Sequence, residues 1–211
     1  MTTVDAGTVR VTSHEELREL LGPVGRRSIT KVRPRLHDVD RQWLAASPMC
    51  LVGTAGSDGS CDVSPKGDPA GFTLVLDDTT IAIPERPGNR RADGFHNILD
   101  NPRVGLIFLV PGRDDTLRIN GRAELVRDAP FFDRMVVKGH RPRFALVVSI
   151  EEIFYHCSKA FLRSALWQPE TWGSDELPSR ARITKAVQPD EDLAELERHY
   201  GPAYLRGLYG G

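Results

Sequence analysis

The chain has 211 residues, 40% of them hydrophobic, which suits one domain with appendages or at most two small ones. Its 28 basic and 29 acidic side chains leave a formal charge of −1, so long-range attraction to nucleic acid or to an anionic membrane is not expected. No stretch approaches the ~20 apolar residues that span a bilayer, and the opening MTTVDAGTVRV lacks the basic and apolar regions of a secretory leader. The cysteines, Cys50, Cys61 and Cys157, are odd in number and lack metal-ligand spacing, as expected of reduced thiols in a cytoplasmic protein.

In chain order, Ser13 with Glu16 three residues on forms a capping box and predicts a helix over 13–21, with Leu17, Leu20 and Leu21 as its apolar stripe. Residues 25–36, GRRSITKVRPRL, are basic and irregular, which predicts an extended arm. A second helix is predicted over 38–46 with Val39, Trp43 and Leu44 inward. Strands follow at 49–55 and 61–64 around the turn Gly56-Ser57-Asp58-Gly59, then at 71–76 and 79–83 around Asp77-Asp78. A helix with Phe95, Ile98 and Leu99 on one face stops at Asp100-Asn101-Pro102, because Pro102 disfavours helical geometry at the residue before it. Strands over 104–110 and 116–126 come next, with Gly121 marking a bulge. Asp128-Ala129-Pro130 caps a short helix carrying Phe131, Phe132 and Met135, and a last strand runs over 143–155. The tail predicts helices over 175–188, with Ile183 and Val187 inward, and over 190–199, capped by Asp190. Glycines 207, 210 and 211 mark a fraying end. Short strands joined by Gly/Asp turns indicate a mainly β fold, an antiparallel sheet closing into a barrel with helical flanks. The divisions are 1–46 for the N-terminal helices and arm, 47–167 for the barrel and 168–211 for a helical extension.

Three stretches carry possible chemistry. Between the strand ending at Ile83 and the helix near Phe95 lies a Pro- and Gly-broken corner ending in Asn89-Arg90-Arg91. Helix N-terminal amides are unpaired and favour an anion, and guanidinium forks match phosphate oxygens. The corner is therefore either a phosphate cradle or a solvated turn whose arginines face water. Ser64-Pro65-Lys66-Gly67-Asp68 sets a compact cation between two residues that let a flat ligand approach the backbone, or else it is an exposed hairpin. HCSKAFLRSALW, residues 156–167, packs His156, Lys159, Arg163, Ser164 and Trp167 among apolar residues. As a helix it puts His156, Lys159 and Arg163 on one face, with Trp167 next along it, a stripe suited to an anionic planar ligand or to covering the barrel with long cationic stems. Other chemistries fail on spacing. There is no Gly-x-Gly-x-x-Gly or Walker loop, the six histidines are scattered, and Ser64 and Ser164 lack nucleophile-elbow glycines.

The succession of strand, Asn89-Arg90-Arg91, short helix, Asp100-Asn101-Pro102-Arg103-Val104 and apolar strand resembles the pyridoxamine-5′-phosphate-oxidase-like FMN-binding split-barrel superfamily. The segment His156-Cys157-x-Lys159-Ala160-x-x-Arg163-Ser164-x-Leu166-Trp167 is similar to that of an FMN-dependent branch of it. A helix a few residues longer than in pyridoxamine phosphate oxidase itself also argues for a separate branch. The resemblance implies a Greek-key-like split β-barrel that binds FMN, with Asn89, Arg90 and Arg91 at the phosphate. It also implies that Ser64, Pro65, Lys66, Gly67, Ile83, Pro84, Arg86 and Thr116 lie along the cofactor. His156, Lys159, Arg163, Ser164 and Trp167 would then meet a flavin held mainly by the partner chain of a homodimer. The implied activity is an FMN-dependent oxidoreductase acting on a small molecule, with NAD(P)H a possible donor and no acid or base residue assignable. A flavin-binding or flavin-sensing protein without turnover, and a binder of haem (through His156) or of a deazaflavin, are the alternatives.

Overall fold

The computed structural model describes residues 7–209, and the chain divides into two compact units, one up to Val32 and one from Arg33 onward. The glycines 210 and 211 and the first six residues of the leader reading lie outside the described residues. In the first unit α1 (His14–Leu21) is capped by Ser13, whose hydroxyl accepts the Glu16 amide at 3.0 Å. Glu16 completes the turn by accepting the amide of Thr12 instead of that of Ser13. Leu17, Leu20 and Leu21 are exposed. The expected extended arm is corrected over part of its length, since α2 (Arg26–Thr30) is helical, with the Thr30 hydroxyl bonded back to the Arg26 carbonyl.

The second unit starts from a locked helix. In α3 (Asp38–Ala46) Trp43 and Leu44 are buried as expected, whereas Val39 is exposed and Asp40 takes the inward place. Asp40 is held by a two-pronged pair with Arg33, at 2.7 and 3.0 Å, and by the His37 amide at 2.7 Å. Burial pushes its carboxyl up, but the Arg33 hydrogen bonds, the His37 amide and the Arg33 charge outweigh that and hold it below the ordinary carboxylate range. Burial and the neighbouring Asp40 charge push Tyr155 up to about 12. Arg33 also pairs its backbone with Ile153, fixing α3 to the sheet.

The sheet has seven antiparallel strands in the order β2-β1-β5-β6-β7-β4-β3. They are β1 (Met49–Ala55), β2 (Cys61–Gly67), β3 (Leu74–Val75), β4 (Thr80–Pro84), β5 (Arg103–Leu109), β6 (Thr116–Val126) and β7 (Ala145–His156). β2 runs three residues further than expected because all seven of its positions pair with β1. β3 keeps only two of six expected residues, since Gly71 at φ 84° and the Phe72 amide bonded to Pro69 turn the chain first. The bulge at Gly121 is present as a register shift between Asn120 and Gly121. A Cβ there would stand 2.1 Å from the Ser149 carbonyl oxygen, so only glycine fits. Cys50, Val52, Leu106, Phe108, Leu117, Ile119, Ile81 and Ile83 form the core with Trp43, Leu44 and Ile98. A smaller cluster, Ala82, Ala145 and Val147, lies against Phe132 and Met135 of the short helical turn Phe132–Met135.

β2 and β4 stand near opposite ends of this order, yet Lys66 meets Glu85 at 2.8 Å and Asp68 meets Arg86 at 2.6 Å. The sheet therefore coils until its ends face each other across a seam, the geometry of a split barrel. The helix α4 (Asp93–Asp100) plugs one end, burying Ile98 while Leu99, expected inward, is exposed. After β7 come α5 (Lys159–Ser164), α6 (Arg180–Val187) and α7 (Leu193–His199). α6 buries Ala181 and Thr184 instead of Ile183 and Val187, because that face meets α7. Asp192, not Asp190, caps α7. Lys185 holds the Pro189 and Glu191 carbonyls, so the chain is still turning at Asp190. The three cysteines are free, and among the described residues no helix is long and apolar enough to cross a membrane.

Candidate functional site

The seam opens into a cleft of about 940 Å³. One wall is β2. Its alternation turns Asp62, Ser64 and Lys66 to the same side as the core residues Thr54, Val52 and Cys50 of β1, their register partners. An inward row that is polar at a sheet edge lines a cavity where an apolar row would fill one. The facing wall is the corner 84–95, and residues 139–144 before β7 form the third side. The floor is apolar, with Val52, Ile98 and the edge-to-face pair Phe95–Phe144, whose centroids are 4.9 Å apart.

The cations of the cleft differ in what holds them. Lys66 is fixed by Glu85 and lies over the Phe95 ring, 4.3 Å from its centroid. Arg86 is used up inside the chain, donating to Asp68 at 2.6 Å, to the Met135 carbonyl at 2.7 Å and to the His140 carbonyl at 3.3 Å. Arg91 pairs with Asp93 at 2.7 Å in an exposed position. Arg141 is tied to Asp128 and Asp133. Arg90 and Arg143 are the cleft cations that have no partner among the described residues.

Arg90 owes its placement to an unusual backbone. Arg90 and Ala92 both lie in the left-handed region, at φ 61° and 62°, a conformation costing non-glycine residues roughly 1–2 kcal/mol each. Asn89 supports it by accepting the Arg91 amide at 3.0 Å. Ala92 is the N-cap of α4 and offers no side chain to its first amides. The helix is pinned closely here. A Cβ on Gly94 would meet Asp62 Oδ2 at 2.8 Å, and Asn97 donates to the Thr54 hydroxyl at 3.1 Å. A strained corner, an uncapped helix start and an unpartnered guanidinium above an apolar floor suit a phosphorylated ligand with a flat body.

The predicted residues thus fall into two groups. Ser64, Pro65, Lys66, Gly67, Pro84, Arg86, Asn89, Arg90 and Arg91 line the cleft. Ile83 is buried in the core beside it. Thr116, His156, Lys159, Arg163, Ser164 and Trp167 are not among the residues that line it. The single helical stripe over 156–167 is corrected. His156 is the last residue of β7, paired with the buried Thr116, because the β6–β7 ladder runs its full length. Lys159 and Arg163 alone share α5, which ends at Ala165 in the left-handed region, with Leu166 bonded back to the Phe161 carbonyl. Trp167 lies past that end, stacked on Phe161 and donating to the Arg113 carbonyl at 2.8 Å. Glu85, Arg143, His140 and Tyr209 line the cleft without having been singled out. Only Arg143, a cation just before the last strand, carried a usable sequence signal.

Residues 36–157 match the sequence profile of the family described as pyridoxamine 5′-phosphate oxidase. The chain belongs to this family. Its fold is the family's split barrel, mainly β and antiparallel with helical flanks. Among solved structures the chain is similar to HupZ of Group A Streptococcus at 18% identity, with 57% of this chain and 93% of that one covered and a TM-score of 0.46. It is similar to a protein related to general stress protein 26, of the pyridoxinephosphate oxidase family, from Clostridium acetobutylicum, at 17% identity, 56% and 85% coverage and a TM-score of 0.43. It is also similar to an FMN-binding protein from Syntrophomonas wolfei at 13% identity, 68% and 96% coverage and a TM-score of 0.43. No protein of curated function matches the chain.

Proposed function

We propose that the protein binds FMN in the seam cleft and works as an FMN-dependent oxidoreductase on a small molecule. The observation that carries this reading is Arg90, without a partner among the described residues and set beside the uncapped start of α4 in a chain of this family. The residues present fit the group. Arg90, supported by Asn89, would hold the phosphate, and the apolar floor around Phe95 and Phe144 suits a ring system. When bound, FMN supplies reversible acceptance of a hydride or of electrons. The chain's own part is to bind, orient and exclude water. Lys66, anchored by Glu85, keeps a cation at the wall of the cleft, where negative charge is stabilised without reorganising the side chain. Three free thiols support a reducing, cytoplasmic setting. The absorbance spectrum of the purified protein tests the reading, followed by addition of NADH or NADPH without air. Flavin bands that bleach with either donor are expected. A colourless protein that takes up no added FMN would refute it.

The working unit of the proposal is a homodimer. The sheet face away from the core presents Met49, Leu51, Ile107 and Leu109 half-buried and Val63 exposed, and Gly53 stands directly opposite Gly105. Such a flat apolar face suits a second copy related by a two-fold axis. Pairing of this kind would give His156, Lys159, Arg163, Ser164 and Trp167 a place at the partner's flavin. Mixing equal amounts of Arg90→Ala and Trp167→Ala chains is expected to restore one of the two sites in each heterodimer, about a quarter of all sites after random exchange. A monomer binding one FMN at full affinity would refute the shared site.

A further inference from the structure

The segment that follows α7 brings Tyr209 into the cleft. Tyr209 lies outside the family-matched residues 36–157, yet it lines the cavity. Its hydroxyl donates to Asp68 Oδ1 at 2.5 Å, while Asp68 Oδ2 accepts Arg86 Nε at 2.6 Å. That carboxylate is 1% exposed, so the tyrosine covers it as well as bonding it. The ring lies nearly parallel to the His140 imidazole, at 25° and 6.0 Å between centroids. Two cations close on it, Lys138 Nζ at 5.2 Å and the Arg86 guanidinium at 5.7 Å from the ring centroid. Lys138 and Gly139, at φ 50° and 79°, make a left-handed turn that brings Lys138 and His140 to the ring.

These attachment points lie on or directly beside the three sides of the cavity. Asp68 follows β2, Arg86 follows β4, and His140 belongs to the segment before β7. One aromatic ring from the tail therefore ties the walls together at the seam. The connection leading to it is on the surface, a short helical turn over Tyr204–Gly207 and then Leu208 at 48% exposure. Tyr209 lies in this cavity and outside the apolar core, a placement that does little for a mere anchor. A movable closure gains from it, because the hydroxyl and ring contacts can be broken without unfolding the barrel.

We infer that the C-terminal tail is a latch. Tyr209 closes the seam cleft over its ligand and leaves Asp68 and His140 when the ligand passes. The inference rests on the cofactor reading only in using FMN as the probe, and its test has an arm that needs no ligand. Hydrogen exchange is measured on the ligand-free full chain, on Tyr209→Phe and on a chain lacking residues 208–211. Loss of one hydrogen bond to a charged group predicts roughly ten- to a hundredfold faster exchange at 64–68 and 139–141 in Tyr209→Phe, with more in the shortened chain and none in β5–β6. Release of FMN into excess apoprotein is then followed by flavin fluorescence, and a similar rise in dissociation rate is expected in both variants. Unchanged exchange in both variants overturns the latch, and so does faster exchange with unchanged release. Faster uptake and tighter binding by the shortened chain, without faster release, would make the tail a competitor and likewise overturn it. If the wild-type chain takes up no FMN, the cofactor reading falls, and hydrogen exchange alone decides the latch.

Discussion

Replacing Arg86 with alanine separates an arginine that holds the barrel from one that holds a ligand. The family resemblance puts Arg86 beside the cofactor, but its side chain is only 12% exposed and three internal acceptors occupy it. Alanine would leave the Asp68 carboxylate, 1% exposed, with the Tyr209 hydroxyl as its remaining side-chain donor among the described residues. It would also strip a donor from the Met135 and His140 carbonyls. Breaking a buried pair on one side costs about 3–5 kcal/mol, a fall of roughly two to three and a half powers of ten in the folding constant. For a unit of this size that lowers Tm by roughly 6–20 °C. Thermal melting and urea titration of the apoprotein measure it. The double variant Arg86→Ala/Asp68→Ala is expected to recover part of the loss, because no buried charge is then left alone. If Arg86→Ala melts with the wild type and loses only FMN, the seam is not held by this pair and Arg86 is a ligand residue.

Gly121→Ala forces a Cβ onto the Ser149 carbonyl, and overpacking against backbone is expected to cost about 1–3 kcal/mol in urea titration; an unchanged midpoint would show that the bulge is free to move. The depressed carboxyl of Asp40 stabilises the fold when charged, so its contribution is present above the ordinary carboxylate range and is lost as pH falls through the folded-state value. The stability gap between wild type and Asp40→Asn should accordingly be widest near neutrality and shrink below about pH 4, and a gap that stays constant in acid would contradict the Arg33 pairing.

The sequence shows the barrel better than the cleft, for a physical reason. β1 and β6 have the bounds expected of them, because turn residues frame them and their apolar rows fill the core. The end of β2 went unseen since its inward row, Asp62, Ser64 and Lys66, is polar, and polar alternation at an edge looks like a loop until the cavity beside it is known. Asn89-Arg90-Arg91 was legible as a cradle, but the division of labour was not. That Arg86 is internally satisfied depends on Met135 and His140, which lie far along the chain. The stripe over 156–167 misled because helical spacing continues across a strand end, where pairing with β6 claims His156 first. Tyr209 gave no signal at all, its partner Asp68 being 141 residues away.

What Arg90 does for a phosphate separates a cofactor corner from a solvated turn most directly. Titrating FMN and riboflavin into wild-type and Arg90→Ala protein, by flavin fluorescence, isolates that group, since the two ligands differ only in the phosphate. Loss of charge-assisted hydrogen bonds worth ~1.5–3 kcal/mol predicts roughly ten- to a hundredfold weaker FMN binding, with riboflavin little changed and the melting curve unmoved. Equal loss for both ligands, or none for either, would contradict a phosphate held at this corner.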